Sequence, residues 1–442
     1  MITEFTHESF LPCNLSEINY EFGSYKVGFD EVEKSLSLTS NITIASCTDG
    51  YLLINDDNLF FTENPSVFEF ISKINSSVVK FCELNNEEKE ICENLLFNKV
   101  CILVDSNTIK NVRIIEFPEK FLEGNDLTEF GWFSSIPVLL EIDVTNKCNQ
   151  KCIHCYQQSN NEYTVTDEMI SLLRKWCIDA GKTGVPYIRF LGGEPFIIPN
   201  LLDICEEAKL AGVLDFQIST NGTLIKESDI PRMSKIFKQI QVSLLSSDPD
   251  EHDIITGLKG SFLKATDNIQ KMIASGINVN ANFVVMKQNF HRIEEIADLM
   301  FQFGGSVRYL ALFLDGRATN LPSISEYEKD VIISSVLKVM EKYSGRMKVN
   351  SAGIPIARDI PETGSFYGCP AGRTVLRLTV DNQQVSPCTR ENGQHYNEMS
   401  IFDLWYQDFL MKYRYAPLCD CDFKSFCGGP CITEVNRMVS CD

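Results

Sequence analysis

The sequence predicts an α/β protein whose middle region places six βα units on a parallel sheet. Apolar runs rich in branched residues begin near Val138, Val185, Leu214, Gln239, Ile277 and Val307. Amphipathic stretches with helical spacing follow most of them, among them 167–180, 201–211 and 262–274. The third observation is where the chemistry falls. A cysteine loop, the turn Gly192-Gly193-Glu194-Pro195, the segment Ser219-Thr220-Asn221-Gly222 and Ser243 all follow strand ends, and parallel sheets gather ligands at the carboxyl ends of their strands.

A chain of 442 residues, 44% hydrophobic, supports two or three domains with cores of their own. Residues 1–102 lack βα alternation. Short strands at 41–47, 51–55 and 58–62 precede helical stretches at 65–74 and 86–98, the order of a small α+β module. Residues 103–137 read as a connector, 138–345 as the βα region, and 346–442 as a cysteine-rich end reached through a helix at 326–343.

Cys148, Cys152 and Cys155 stand in one short loop just after the first apolar run of the βα region. Three thiolates this close can hold three corners of a four-iron cluster and leave the fourth iron open for a small molecule. Structural zinc is the alternative, but it closes with four ligands, and His154 is adjacent to Cys155 and poorly placed to share a tetrahedral metal with it. The run from Val185 to Leu191 leads directly into Gly192 and Gly193, which let the backbone approach a ligand closely, and Glu194 adds a carboxylate that suits an ammonium group.

The cysteine spacing, with Tyr156 after the last cysteine, resembles the signature of the radical S-adenosylmethionine (SAM) superfamily. The resemblance implies a partial (β/α)6 barrel and a [4Fe-4S] cluster whose open iron is chelated by the amino and carboxylate groups of SAM. An external one-electron donor of flavodoxin or ferredoxin type would reduce that cluster, and a 5′-deoxyadenosyl radical would abstract hydrogen from an unactivated C–H bond. It also implies Tyr156 near the adenine, Gly192, Gly193, Glu194 and Pro195 at the methionine amino group, and Ser219, Asn221 and Ser243 at the nucleoside or carboxylate. The segment 241–262 resembles the fourth-strand region of peptide-modifying members, with Thr256 where one branch carries a basic residue. His252 reads as part of a solvated or helix-capping pair with Asp253, and no catalytic base is assigned.

Cys369, Cys388, Cys419, Cys421, Cys427, Cys431 and Cys441 crowd the carboxyl end and must be metal ligands or disulfides. Residues 1–30 lack the pattern of a signal peptide, and no stretch is long and apolar enough to span a membrane. A cytoplasmic chain is expected, where structural disulfides are rare. The region resembles the SPASM extension of peptide-modifying radical SAM enzymes, which implies two auxiliary four-iron clusters. Cys369, Cys388 and Cys431 would serve the first, and Cys419, Cys421, Cys427 and Cys441 the second. Two features depart from that pattern: one residue separates Cys419 from Cys421 where two are usual, and Gln383 stands where glycine is usual. Seven cysteines cannot close two four-iron clusters, so one, the first by this mapping, is open or takes a non-cysteine ligand.

The amino-terminal module resembles the winged-helix-like recognition element of enzymes that mature ribosomally made peptides (RiPPs), where a leader peptide adds a strand to a sheet edge. The net charge of −20, with 17 acidic against 6 basic residues in the first hundred, disfavours nucleic acid and suits a basic leader. The remaining cysteines (Cys13, Cys47, Cys82, Cys92, Cys101, Cys177 and Cys205) read as buried thiols. The expected activity is cross-linking of a ribosomally synthesised precursor peptide, a thioether before a carbon–carbon bond. Single-residue oxidation, as in sulfatase activation to formylglycine, is the enzymatic alternative, and an iron–sulfur or zinc scaffold the non-enzymatic one.

Overall fold

The computed structural model describes residues 133–352 without a break. It also describes 354, 370–389, 391, 393–395 and 399–415, and on the amino side 2–5, 35–38, 42–47, 50–54, 59–62, 65–76, 79–80, 83–97, 101–104 and 112–124. Of the carboxyl-terminal cysteines, Cys388 falls among the described residues; Cys369, Cys419, Cys421, Cys427, Cys431 and Cys441 lie outside them.

The amino-side elements are β1 (Ile2–Phe5), β2 (Ser35–Leu38), β3 (Ile42–Cys47), β4 (Gly50–Ile54), β5 (Leu59–Thr62), α1 (Ser66–Ser76), α2 (Asn86–Phe97), β6 (Cys101–Val104), β7 (Val112–Ile115) and α3 (Glu119–Gly124). One sheet runs β1-β5-β4-β3-β7, and β2 pairs with β6. Phe70, Ile71 and Ile74 of α1 and Ile91 and Leu95 of α2 share one buried cluster with Leu38 of β2, Ile44 of β3 and Leu53 of β4. β7 pairs in parallel with β3, so this sheet draws a strand from the stretch read as a connector.

The central elements are β8 (Leu139–Asp143), α4 (Asp167–Thr183), β9 (Tyr187–Leu191), α5 (Leu201–Ala211), β10 (Asp215–Thr220), α6 (Ile230–Ile236), β11 (Phe237–Ser243), α7 (Pro249–Thr256), α8 (Ser261–Ala274), β12 (Asn278–Val285), α9 (Ile293–Phe303), β13 (Ser306–Ala311) and α10 (Glu326–Tyr343). β14 (Val349–Ala352), β15 (Val375–Thr379), β16 (Gln384–Ser386), β17 (Gln394–His395), α11 (Ile401–Trp405) and α12 (Asp408–Met411) follow. The sheet runs β14-β13-β12-β11-β10-β9-β8-β15-β16-β17, parallel from β14 through β15 and antiparallel beyond. Residues past 345 thus add strands to both edges of the six expected ones.

Caps set the helix ends. Thr166 accepts from the Met169 N–H at the start of α4, and Ser325 with Glu328 closes a capping box on α10. Alternation along the strands then sorts the two faces of the sheet. Ile188, Phe190, Phe216, Ile218, Ile240, Val242, Val279, Ala281 and Phe283 pack with helix residues such as Leu173, Trp176 and Ile269. The alternate positions, Glu141, Arg189, Gln217, Gln239, Gln241, Asn280 and Asn282, face the inside of the partial barrel and are nearly all polar and buried. Arg189 donates to Glu141 at 2.9 Å and to Gln217 at 2.9 Å, which satisfies its charge within the lumen. No helix among the described residues is long and apolar enough to cross a membrane.

Candidate active site

The loop carrying Cys148, Cys152 and Cys155 follows β8 and is held from several sides by backbone hydrogen bonds. Glu194 N–H donates to Lys147 C=O at 2.9 Å, and Cys148 N–H to Asn160 C=O at 2.8 Å. Lys151 and Ile153 donate to Thr256 and Ile255 at the end of α7, both at 3.0 Å. The two glycines after β9 are required by this closeness. A Cβ on Gly192, at φ +121°, would stand 2.5 Å from Thr145 O, and one on Gly193 would stand 2.2 Å from Lys147 O.

Burial pushes the Cys148 thiol up to about 11, with the negative charges of Glu194 and Cys155 adding to it. Burial likewise raises Cys152, helped by Cys148 and Cys155. Cys148 and Cys152, both raised by burial and by a neighbouring sulfur, share a pocket hostile to thiolates unless a cation sits among them. That donor set fits an iron–sulfur cluster, with Cys148, Cys152 and Cys155 as its holders. His154 is pulled down to about 4 by burial together with the charges of Arg317 and His252, so it is neutral at physiological pH.

Tyr156 turns toward Arg377 of β15. Its hydroxyl accepts from Gln157 Nε2 at 3.2 Å and from Arg377 Nη2 at 3.4 Å, and the Arg377 guanidinium carbon lies 5.9 Å from its ring centroid. Phe313 meets the same ring edge-on at 6.3 Å.

Glu194 is fully buried and accepts from Asn221 N–H at 2.7 Å, Thr220 Oγ1 at 2.7 Å and Phe196 N–H at 3.1 Å. Burial pushes its carboxyl up to about 7 against these bonds. In the structure its carboxylate ties the Gly-Gly turn to the end of β10. The Asn221 amide donates to Asn149 Oδ1 at 2.8 Å and lies 3.9 Å from Cys148 Sγ. Ser219 donates to Gln241 Oε1 at 3.0 Å, and half-buried Ser243 ends β11 on the same lumen face. The strand ends therefore bring the three cysteines, Tyr156, the Gly192 to Pro195 turn, Ser219, Asn221 and Ser243 to one mouth.

His252 differs from its expected solvated state. It is fully buried, its Nδ1 accepts from Leu245 N–H at 3.1 Å, and burial lowers it to about 4. Asp253 caps α8 instead, accepting from Ser261 Oγ at 2.8 Å and Phe262 N–H at 3.0 Å. Cys388 is half-buried just after β16, away from the three-cysteine loop in sequence. Two arginines at this mouth escaped the sequence reading, Arg317 and Arg377. Each lies far along the chain from the cysteines and is distinguished by no local pattern.

A parallel partial barrel with three cysteines after its first strand and a Gly-Gly-Glu-Pro turn after its second defines a SAM-dependent radical enzyme domain. Residues 142–300 match the radical SAM superfamily, and the chain carries a radical SAM domain. The antilisterial bacteriocin subtilosin biosynthesis protein AlbA of Bacillus subtilis is 26% identical over 416 residues, covering 85% of this chain and 88% of that protein. A probable GTP 3′,8-cyclase of Methanocella arvoryzae is 25% identical over 289 residues, covering 62% of this chain and 88% of its own length. In fold, the chain resembles Streptococcus suis SuiB. The form bound to S-adenosylmethionine gives a TM-score of 0.64 at 18% identity over 91% of this chain and 97% of that one. The form bound to precursor peptide SuiA gives 0.63 at 19% over 92% and 97%. When bound, the cluster and SAM supply one-electron cleavage of the sulfonium. The chain's own residues hold the sulfurs in a half-buried loop and orient the aromatic Tyr156.

Proposed function

We propose that this protein installs a cross-link in a ribosomally synthesised precursor peptide, with a thioether from cysteine sulfur to carbon as the favoured bond. One observation carries the reading: similarity to the bacteriocin biosynthesis protein AlbA runs along 85% of the chain, whereas similarity to the GTP 3′,8-cyclase stops at 62%. A match reaching well beyond the SAM-binding core favours a shared substrate class over shared radical chemistry alone.

In this proposal Cys148, Cys152 and Cys155 hold the SAM-binding cluster. Tyr156, Gly192, Gly193, Glu194, Pro195, Ser219, Asn221 and Ser243 surround SAM. Cys369, Cys388 and Cys431 hold a first auxiliary cluster, and Cys419, Cys421, Cys427 and Cys441 a second. Residues 1–102 engage the leader, 103–137 connect, 138–345 form the catalytic barrel, and 346–442 carry the auxiliary clusters, with reduction by a flavodoxin or ferredoxin in the cytoplasm. The preference for sulfur rests on the open coordination site left when seven cysteines serve two clusters, a place for a substrate thiolate.

Anaerobic reconstitution with iron and sulfide, reduction, and addition of SAM and a cysteine-containing precursor peptide test the reading. A cross-linking enzyme forms 5′-deoxyadenosine and removes about two daltons per bond, both dependent on Cys148, Cys152 and Cys155, and fragmentation places the lost hydrogens on a cysteine and an acceptor carbon. Deoxyadenosine without a linked peptide would overturn the cross-link, and full cluster loading without SAM cleavage would overturn the enzyme.

A further inference from the structure

We propose that Arg317 is a positioning residue for the SAM-binding cluster, locking the cysteine loop and adding a fixed positive charge beside it. The argument begins with the backbone. After β13 the chain turns at Gly316, φ +57°, where a Cβ would stand 2.2 Å from Tyr156 O and 2.7 Å from Cys155 O. Only glycine lets the chain pass so close to the loop. Arg317 N–H then donates to Cys155 C=O at 3.0 Å. Its side chain reaches around the loop, Nε donating to Cys152 C=O at 2.7 Å and Nη2 to Ser159 C=O at 2.8 Å. One residue thus fixes carbonyls at positions 152, 155 and 159.

The Cys152 and Ser159 carbonyls are held by separate nitrogens of one planar guanidinium, a fixed fork that the single nitrogen of an ammonium does not reproduce. The guanidinium's bonds to neutral carbonyls also leave its charge uncancelled by them, beside sulfurs that turn anionic on binding iron. A positive charge there favours the reduced, more negative cluster, so Arg317 raises the reduction potential as well as holding the loop.

The inference rests on a cluster at the three cysteines. Its test uses the reconstituted full-length protein, reading the part of the reduced-cluster electron paramagnetic resonance signal that changes when SAM is added. Arg317→Gln should lose that signal to an iron chelator several-fold faster than the parent chain and titrate at a lower potential. Arg317→Lys should also lose it faster yet keep the parent potential. A Gln variant with parent lifetime and parent potential overturns the inference. Should that variant fail to fold, the Lys variant decides, because a parent lifetime there means that the two-carbonyl grip does nothing. A parent chain with no SAM-responsive signal would remove the cluster reading itself, and the inference with it.

Discussion

Arg377 of β15 forms an ion pair with Asp143 of β8, with side chains only 6% and 1% exposed. In the sheet register Arg377 lies opposite Glu141, so its guanidinium leans one pleat toward the mouth to reach Asp143 and the Tyr156 hydroxyl. A strand that follows the barrel in sequence therefore helps set the aromatic ring after the third cysteine.

Removing one partner strands a buried charge. Arg377→Gln or Asp143→Asn should each lower stability by about 3–5 kcal/mol, read as the urea midpoint multiplied by the denaturant slope. The double variant should recover part of that loss, because the surviving charge disappears with its partner. Additive losses in the cycle would show that the pair is uncoupled.

His252 sets a pH dependence with a definite sign. Burial holds its folded value at about 4, below the ordinary value of 6.5. As pH falls through 6.5 the unfolded chain takes up a proton that the folded chain refuses, so stability is lost on acidification. Between pH 7 and 5 this residue should cost about 2 kcal/mol. His252→Leu should be less stable at pH 7, having no acceptor for Leu245 N–H, and show a flatter acid slope. An unchanged slope would mean that another group carries the titration.

Much of this was legible in sequence because strands and helices advertise themselves by period. The six apolar runs fall within two residues of β8 through β13, and α5 and α10 begin and end at the expected residues. The polar lumen was also written there, in Gln239-Ile240-Gln241 and Asn278-Val279-Asn280-Ala281-Asn282, but reading those strands as apolar runs hid the alternation. Burial of His252 was invisible because its neighbours Asp250, Glu251 and Asp253 make the segment look solvated. β14 was missed for a different reason. Its four residues carry little periodicity, and its place on the sheet edge, like that of β15 between β8 and β16, is fixed by long-range pairing. Arg317 and Arg377 belong to the same class, since contacts across more than 160 positions leave no local trace.

The contact between the Gly-Gly turn and the cysteine loop makes Gly193 a sensitive probe of cluster assembly. A methyl group at Gly193 meets the Lys147 carbonyl at 2.2 Å, and backbone cannot swing aside as a flexible side chain can. Gly193→Ala should leave the helical circular dichroism near the parent value while iron bound after reconstitution falls, because the displaced loop carries Cys148 next to Lys147. Full iron loading would mean that the loop moves without cost.

The last prediction separates the two sets of cysteines. Cys155 lies in the loop held by Arg317 and by the end of α7, whereas Cys388 follows β16 on the far side of β15. If the first makes the radical and the second serves an auxiliary cluster, their losses should differ in kind. Cys155→Ala should abolish 5′-deoxyadenosine altogether, as SAM would have no iron to bind. Cys388→Ala should still cleave SAM but fail to convert the precursor peptide, since hydrogen abstraction would continue without the step that completes the bond. The measurement is the ratio of deoxyadenosine to linked peptide in one reaction, which rises for Cys388→Ala and has no numerator for Cys155→Ala. Linked peptide at the parent ratio from Cys388→Ala would remove that cysteine from the chemistry.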